Sequence, residues 1–374
     1  MTDPDLWETQ YIAAGGLDVV ILNANEVLVQ FGTRSLPAEL FRDPNRRGLL
    51  GPMMSAFVAG PADLSTILAG ADETGRRELE QIFRELVEKG ILARVSSSPI
   101  DQYLAYTFTG ESSLRNAAVN VIGAGPLGAR IARSLVQHGV GKITLMDDRI
   151  MDHLPQPPPA GSAATASAAG QRAGDHLFDL LSGAADGVEV ISSPELSVAQ
   201  LAASIDAHQL TIVAFEQRSL TMAHLVNRIC LKANKPWIVA SVDGNVGLAG
   251  PLFNGRDTAC YNCYEALSDS TIASRHMARH YRKHVLQRGT GSFVSGLPVF
   301  ADIVAGYVSL AALHFLLGKA CFLEGRILNV NFDRMILNTE DILRLPRCPV
   351  CAGLNPVRAP AFDPDVLIRQ PSAT

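Results

Sequence analysis

Residues 119–148, VNVIGAGPLGARIARSLVQHGVGKITLMDD, leave this chain few choices of fold. Val119–Ile122 is a short apolar run suited to a parallel strand buried on both faces. Gly123, Gly125 and Gly128 follow in G-x-G-x-x-G spacing, and Leu127, Ile131 and Leu135 then recur at helical intervals. The first glycine permits a tight turn, the second lets backbone N–H groups approach a phosphate, and the third lets helix and strand pack closely. A helix starting there offers unpaired N–H donors and a partial positive charge to an anion. A second apolar strand, Lys142–Met146, ends at Asp147 and Asp148, about 20 residues past the last glycine, where a carboxylate can bind a ribose hydroxyl. The stretch predicts a nucleotide-binding βαβ unit.

A chain of 374 residues with 47% apolar side chains is expected to build two or more domains, each with its own core. The net charge of −5 gives no general attraction to nucleic acid or to an anionic membrane. No basic segment followed by an apolar run opens the sequence, so a cytoplasmic protein is the expectation. The apolar run Leu297–Ala320 carries Asp302, His314, Gly306 and Gly318, which predicts a buried core helix rather than a membrane span.

Residues 1–112 predict a separate small domain. Asp18–Leu22 and Val27–Phe31 are β-rich runs forming a hairpin, and helices are expected near Leu49–Val58 and Ala62–Leu68. The clearest helix is Gly75–Lys89, where Leu79, Ile82, Phe83, Leu86 and Val87 share one face and Gly90 supplies the stop. Ile91–Val95 would close the module, which reads as winged-helix-like. Nine Arg or Lys stand against sixteen Asp or Glu in this stretch, a net of −7. A DNA-binding face needs clustered cations, so peptide recognition by strand addition or in an apolar groove fits better. Packing against the second domain is the competing explanation. The candidate peptide contacts are Val27, Val29 and Phe31 on the strand, with Ile82 and Leu86 on the helix.

Thr107–Arg115 reads as a linker. Met151–Gly174, with Pro155, Pro157, Pro158 and Pro159 before a run of Ala, Ser and Gly, reads as a long crossover loop. Strands are then expected at Val188–Ser192, Leu210–Phe215, Trp237–Val242 and Gly247–Phe253, with helices near Leu196–Ala207 and Leu220–Ala233. Two C-x-x-C pairs follow, Cys260/Cys263 and Cys348/Cys351. Four thiolates complete the closed tetrahedral shell of a structural zinc. The alternatives are disulfides or a redox pair. Cys230 and Cys321 stand alone in apolar contexts and read as inert core residues.

From Val119 to Gly353 the sequence resembles the ThiF/MoeB superfamily, the ubiquitin-activating-enzyme-like adenylating proteins. The glycine loop, the strand ending in Asp147-Asp148, LTIVAFEQRSLTMAHLVNRICLKANKPWIVASV, GPLFNGRDTACYNCYEAL, HFLLGKA and RCPVCAG carry the likeness in order. The resemblance implies an α/β, Rossmann-like adenylating-enzyme fold over residues 113–358 with a four-cysteine zinc site, followed by a tail at 359–374. GPLF-x-x-x-x-x-A-C-Y-x-C behind a winged module looks like the leader-peptide-binding partner of thiazole/oxazole (azoline) peptide cyclodehydratases. It implies a precursor-peptide leader and a YcaO-type ATP-dependent enzyme as partners, and a homodimer.

The departures from that pattern matter as much. The superfamily follows its acidic strand end with a Ser-Asn-x-x-Arg-Gln segment whose arginine binds ATP phosphates, whereas here HLPQPPP contains no arginine. Its Mg²⁺-serving Asp-Asn is matched by Glu216-Gln217, where an extra methylene shifts the carboxylate, and its nearby lysine only by Arg172. Charge builds on phosphate oxygens during adenylation, and losing a phosphate arginine costs orders of magnitude in rate. The first expectation is therefore a non-catalytic scaffold whose nucleotide site (Gly123, Gly125, Gly128, Asp147, Asp148, Glu216) is vestigial. The second is a working adenylating enzyme using ATP and Mg²⁺, with Arg172, Arg218 or the crossover loop replacing the lost arginine. A nicotinamide-dependent dehydrogenase shares the glycine signature but not the paired C-x-x-C motifs. His276, His280 and His284 recur every fourth residue and could bind metal, but Arg275, Arg279, Arg282 and Lys283 favour a solvated basic face. Ser241 and Asp243 border a former pocket or simply end a strand, and Trp7 and Trp237 read as packing residues. Ala301, Ala305, Ala311 and Ala312 predict close helix packing, within the chain or across a dimer.

Overall fold

The computed structural model describes residues 9–32, 38–68, 72–97, 99–107, 114–150, 170–184, 188–193, 196–215, 220–271, 274, 276–277, 280, 283–284 and 297–354. Trp7, the 151–169 crossover, Glu216–Ser219, Arg275, Arg279, Arg282 and the 359–374 tail lie outside them. The chain divides into two compact units, residues 1–112 and 113–374.

In the first unit β1 (Tyr11–Ala13) pairs antiparallel with β5 (Leu92–Arg94). Between them lies a three-stranded antiparallel meander, β2 (Leu17–Asn23), β3 (Glu26–Phe31) and β4 (Glu39–Arg42), with β3 in the middle. Helices α1 (Leu50–Ala59), α2 (Leu64–Leu68) and α3 (Glu73–Glu88) cover it, and α4 (Pro99–Thr107) ends where the expected linker begins. Helix α3 starts where Asp72 accepts a hydrogen bond from the Gly75 N–H at 2.7 Å, an N-cap satisfying one of the first free donors. It stops at Gly90, whose φ of +67° and whose closeness to Ala105 (a Cβ would lie 2.3 Å from its carbonyl carbon) both demand glycine. The apolar stripe read from the sequence meets β3 in the core: Leu79, Phe83 and Leu86 pack with Val27, Val29 and Tyr11.

The second unit is built on an eight-stranded sheet. Its elements are β6 (Ala118–Ile122), α5 (Pro126–Gln137), β7 (Lys142–Met146), α6 (Ala173–Leu181), β8 (Glu189–Ser193) and α7 (Val198–Ala207). They continue with β9 (Leu210–Phe215), α8 (Leu220–Ala233), β10 (Pro236–Asp243), β11 (Val246–Asn254), α9 (Tyr261–Thr271), α10 (Pro298–Leu316), β12 (Arg326–Asn331) and β13 (Ile336–Asp341). The strand order is β13-β12-β11-β10-β9-β6-β7-β8, parallel from β10 to β8 and antiparallel at the other end. Helix α6 begins inside the stretch read as an unstructured crossover. Strands β12 and β13, with the turn between them, were not expected at all.

Trp237, stacked on Phe253 with ring centroids 4.7 Å apart, sits in the core that carries the paired cysteines. Helix α10 is long and apolar enough to cross a membrane, yet Ala301, Ala305, Ala311 and Ala312 are buried within this chain, where the helix packs on α5, β10 and β11. Those alanines therefore do not supply a dimer surface; their small size lets the helix approach its own sheet. Cys230 and Cys321 are buried, and burial pushes the Cys230 thiol up to about 12.

Candidate functional site

Strand β6 is the switch point of the sheet: the chain leaves it toward β7 and β8, then returns on its other side to β9 and β10. Open α/β sheets place ligands at the carboxyl end of such a strand, and the glycine loop lies there. Gly123 takes φ of +101°, and its N–H donates to the Met146 carbonyl at 3.0 Å, tying the loop to β7. A Cβ on Gly128 would lie 1.8 Å from the Gly123 carbonyl oxygen, so only glycine lets α5 start this close to the loop. Gly125 is the N-cap of α5, with Pro126 in its first turn.

The two aspartates at the end of β7 part company. Asp148 is exposed, whereas Asp147 is 1% exposed and turned into the structure. The Asp147 Oδ2 accepts a hydrogen bond from the Ala124 N–H at 2.7 Å, so this carboxylate braces the glycine loop. Arg149, which sequence reasoning passed over, covers the same carboxylate. Its Nη2 donates to Oδ2 at 2.6 Å, its Nε to Oδ1 at 2.9 Å and Oδ2 at 3.1 Å, and its backbone N–H to Oδ1 at 3.1 Å. The only advance signal was its place as the first cation after the acidic pair. Arg172 is exposed at the N-cap of α6. Ser241 is buried at the end of β10, paired on both sides by Phe215 and Leu248, which places it in the sheet.

The four cysteines converge. Cys260 and Cys263 sit at the start of α9, Cys348 and Cys351 near the end of the described chain, and all four Sγ atoms lie within 4.8 Å of one another. The Cys260–Cys263, Cys260–Cys348 and Cys263–Cys351 separations are 3.8, 3.7 and 3.6 Å. A zinc–sulfur tetrahedron with bonds of about 2.3 Å has edges of about 3.8 Å, so the donor set fits zinc. The Leu345 N–H points at the Cys263 sulfur (3.4 Å) and the Asn262 side-chain amide at that of Cys348 (3.5 Å), supplying the amide donors that orient thiolates. Hydrogen bonds, first from the Cys260 thiol, hold Cys263 down to about 4. Donation to Cys263 and then burial push Cys260 up, and burial pushes Cys351 up to about 12. When bound, zinc offsets part of the charge of the four thiolates and ties α9 to the segment after β13. In contrast, His276 and His280 are exposed, with Nε2 atoms 3.2 Å apart, and His284 is also exposed.

In the first unit the expected peptide contacts need correcting. Val27 and Val29 are buried, and both edges of β3 are paired, with β2 on one side and β4 on the other. A central strand has no free N–H and C=O row, so no peptide can add to it. Leu86 is also buried in the core, and Phe31 stacks on Tyr106 with centroids 5.7 Å apart. Ile82 alone of the five lines an open cleft, of about 330 Å³, between α3 and β4. Among the described residues the outer edge of β4 has no strand partner. Leu40, Phe41 and Arg42 of β4 face Gln81, Ile82 and Glu85 of α3, and Lys89 at its C-cap, across it. Lys89 pairs with Glu39 and, at 3.2 Å, with Glu85, while its Nζ stands 4.7 Å from the centre of the Phe41 ring. The Glu39 carboxylate raises the Lys89 ammonium above its ordinary value.

A switch-point glycine loop, a parallel sheet extended by an antiparallel end and a four-cysteine staple define an α/β protein of the adenylating-enzyme architecture. The ThiF family model matches residues 101–350, and the chain belongs to the ThiF family. It is 27% identical over 157 residues to the adenylyltransferase and sulfurtransferase MOCS3 of Caenorhabditis briggsae, a match covering 41% of this chain and 38% of that enzyme's length. Among solved structures, Escherichia coli MccB superposes with a TM-score of 0.62 at 16% identity, covering 95% of this chain and 99% of that one. The microcin C7 biosynthetic enzyme MccB in complex with N-formylated MccA gives 0.61 at 17% identity, covering 91% and 99%. The heterocyclase TruD gives 0.56 at 16% identity, covering 92% of this chain and 43% of that one. At these identities the superpositions establish the fold.

Proposed function

We propose that this chain is a cytoplasmic, non-catalytic subunit that binds the leader of a ribosomal precursor peptide and presents its core to a YcaO-type azoline-forming cyclodehydratase. The observation that carries the reading is the cleft between helix α3 and the edge of β4, which has no strand partner among the described residues. An extended peptide gains backbone hydrogen bonds from such an edge and side-chain selectivity from the adjoining helix. The folds of MccB, solved with MccA, and of the heterocyclase TruD agree with peptide work. The sequence HLPQPPP after β7 supports loss of adenylation, because it lacks an arginine for the phosphates. Zinc is the metal proposed for the four cysteines, in a structural role, and the assembly is proposed to be a homodimer.

Titrating labelled leader peptides encoded beside the gene into the full chain tests this. Micromolar or tighter binding is expected. Ile82→Glu, which puts a charge into the cleft, should weaken it at least tenfold in protein that melting curves show to be folded, although the loss of Ile82 packing lowers the melting temperature. Absence of binding to all such leaders would end the proposal.

A second reading, an ATP-dependent enzyme that adenylates a peptide C-terminus, is favoured by the intact glycine loop and by the ThiF-family fold shared with MccB, which has been solved with ATP. Substrate-dependent ATP–pyrophosphate exchange would establish it; under the first reading there is none.

A further inference from the structure

We propose that Arg149 is a latch on the ribose subsite, so that the free chain cannot recognise a ribonucleoside triphosphate through Asp147. A carboxylate offers about four lone-pair sites. In Asp147 these are taken by the Ala124 N–H, the Arg149 backbone N–H and the Nε and Nη2 of the Arg149 guanidinium. Neither oxygen has acceptor capacity left for a 2′- or 3′-hydroxyl. The carboxylate is also closed to solvent, while the Arg149 side chain above it is 31% exposed and forms the outer layer.

The latch is held at both ends. The Arg149 carbonyl accepts from the Ala173 N–H at 2.8 Å, and Ile150 bridges to Arg172, fixing the backbone against the start of α6. On the other side Gly174 lies so close that a Cβ there would stand 3.1 Å from the Asp147 carbonyl oxygen. A bidentate, charge-assisted pair between two anchored backbones opens only by stranding a buried carboxylate. The residues present therefore do not fit ribose binding as they stand. The glycine loop keeps its shape because Asp147 braces it from within.

This deepens the non-adenylating reading and rests on it for its motive, but the two fail separately. The full-length protein and its Arg149→Met and Arg149→Lys variants are titrated with MgATP and with Mg-2′,3′-dideoxy-ATP by calorimetry, with melting curves as fold control. The native chain is expected to bind both nucleotides equally weakly. Arg149→Met should then prefer ATP over the dideoxy analogue by tenfold or more, and Arg149→Lys, which replaces a two-pronged donor by one point charge, by a smaller factor. A tenfold preference for ATP in the native chain overturns the latch, as does a folded variant that gains no preference. If Arg149→Met does not fold, Arg149→Lys and the native measurement decide. Leader binding measured on the same samples separates the cases: its persistence alongside a failed latch leaves the scaffold reading intact, whereas pyrophosphate exchange in the native chain removes that reading.

Discussion

At the scale of single residues, the four cysteines make the sharpest demand. Four buried thiols cannot all ionise beside one another: Cys263 takes the thiolate role at about 4, while Cys260 and Cys351 are pushed the other way. Zinc binding requires every sulfur deprotonated, so loading the site releases protons. The metal-free state holds more protons than the metal-bound one, and raising pH therefore favours zinc. Competition with a chromophoric chelator between pH 6 and 8 should show affinity rising by tenfold or more per unit. A flat profile would mean that the thiols are already ionised. Glycine acts at the same scale: Gly128 fits where any Cβ would collide with the Gly123 carbonyl, so the spacing of the loop is a steric necessity before it is a ligand motif.

At the scale of elements, a buried polar tie joins β7 and α7. His208, which ends α7, meets the Thr144 hydroxyl of β7 through Nε2 at 2.9 Å and the Ser204 carbonyl through Nδ1 at 2.6 Å. Burial, together with the positive charges of Lys142 and Lys235, lowers its protonation range below the ordinary 6.5. The unfolded chain therefore binds this proton more readily than the folded one. The contribution to stability is complete above the unfolded value and is lost as pH falls below it toward the folded one. Urea midpoints should fall between pH 7 and pH 5, and His208→Gln, which keeps a donor and an acceptor but does not titrate, should flatten that slope.

Legibility followed the same logic of burial. The β6–α5–β7 unit was readable because its strands are apolar throughout and its helix is amphipathic, so each element announces its surroundings. Strand β13 has all six residues exposed and no alternation to betray it, and α6 hides behind a run of prolines and alanines. The peptide edge was misplaced because whether β3 is central depends on its pairing with Glu39–Arg42, a four-residue strand too short to signal itself. Arg149 was missed for a related reason: a cation two residues beyond an aspartate has a role only once the turn folds it back onto the carboxylate.

At the scale of the whole molecule, the two units carry different kinds of information. Residues 1–112 have a core of their own, centred on Phe57, Phe83, Met53 and Leu50, and the proposed peptide cleft is lined entirely by their side chains. The cysteine cluster belongs to the core of residues 113–374, where Cys260 and Cys263 pack with Trp237, Tyr261 and Phe253. Removing the metal leaves four sulfurs crowded in that apolar setting without the dication that held them together, and the binding energy of a structural zinc is folding energy for the unit that holds it. Chelation should therefore lower the melting transition of the second unit while leader affinity at 25 °C stays within about threefold, since a change of 1.4 kcal/mol is needed for tenfold. Titration of leader into the intact protein at 25 °C and scanning calorimetry of the same protein, each before and after dialysis against a zinc chelator, measure the two. Loss of leader binding with the zinc would mean that peptide recognition draws on the ThiF unit, and the cleft between β4 and α3 would then be too small a part of the site to carry the function assigned to it.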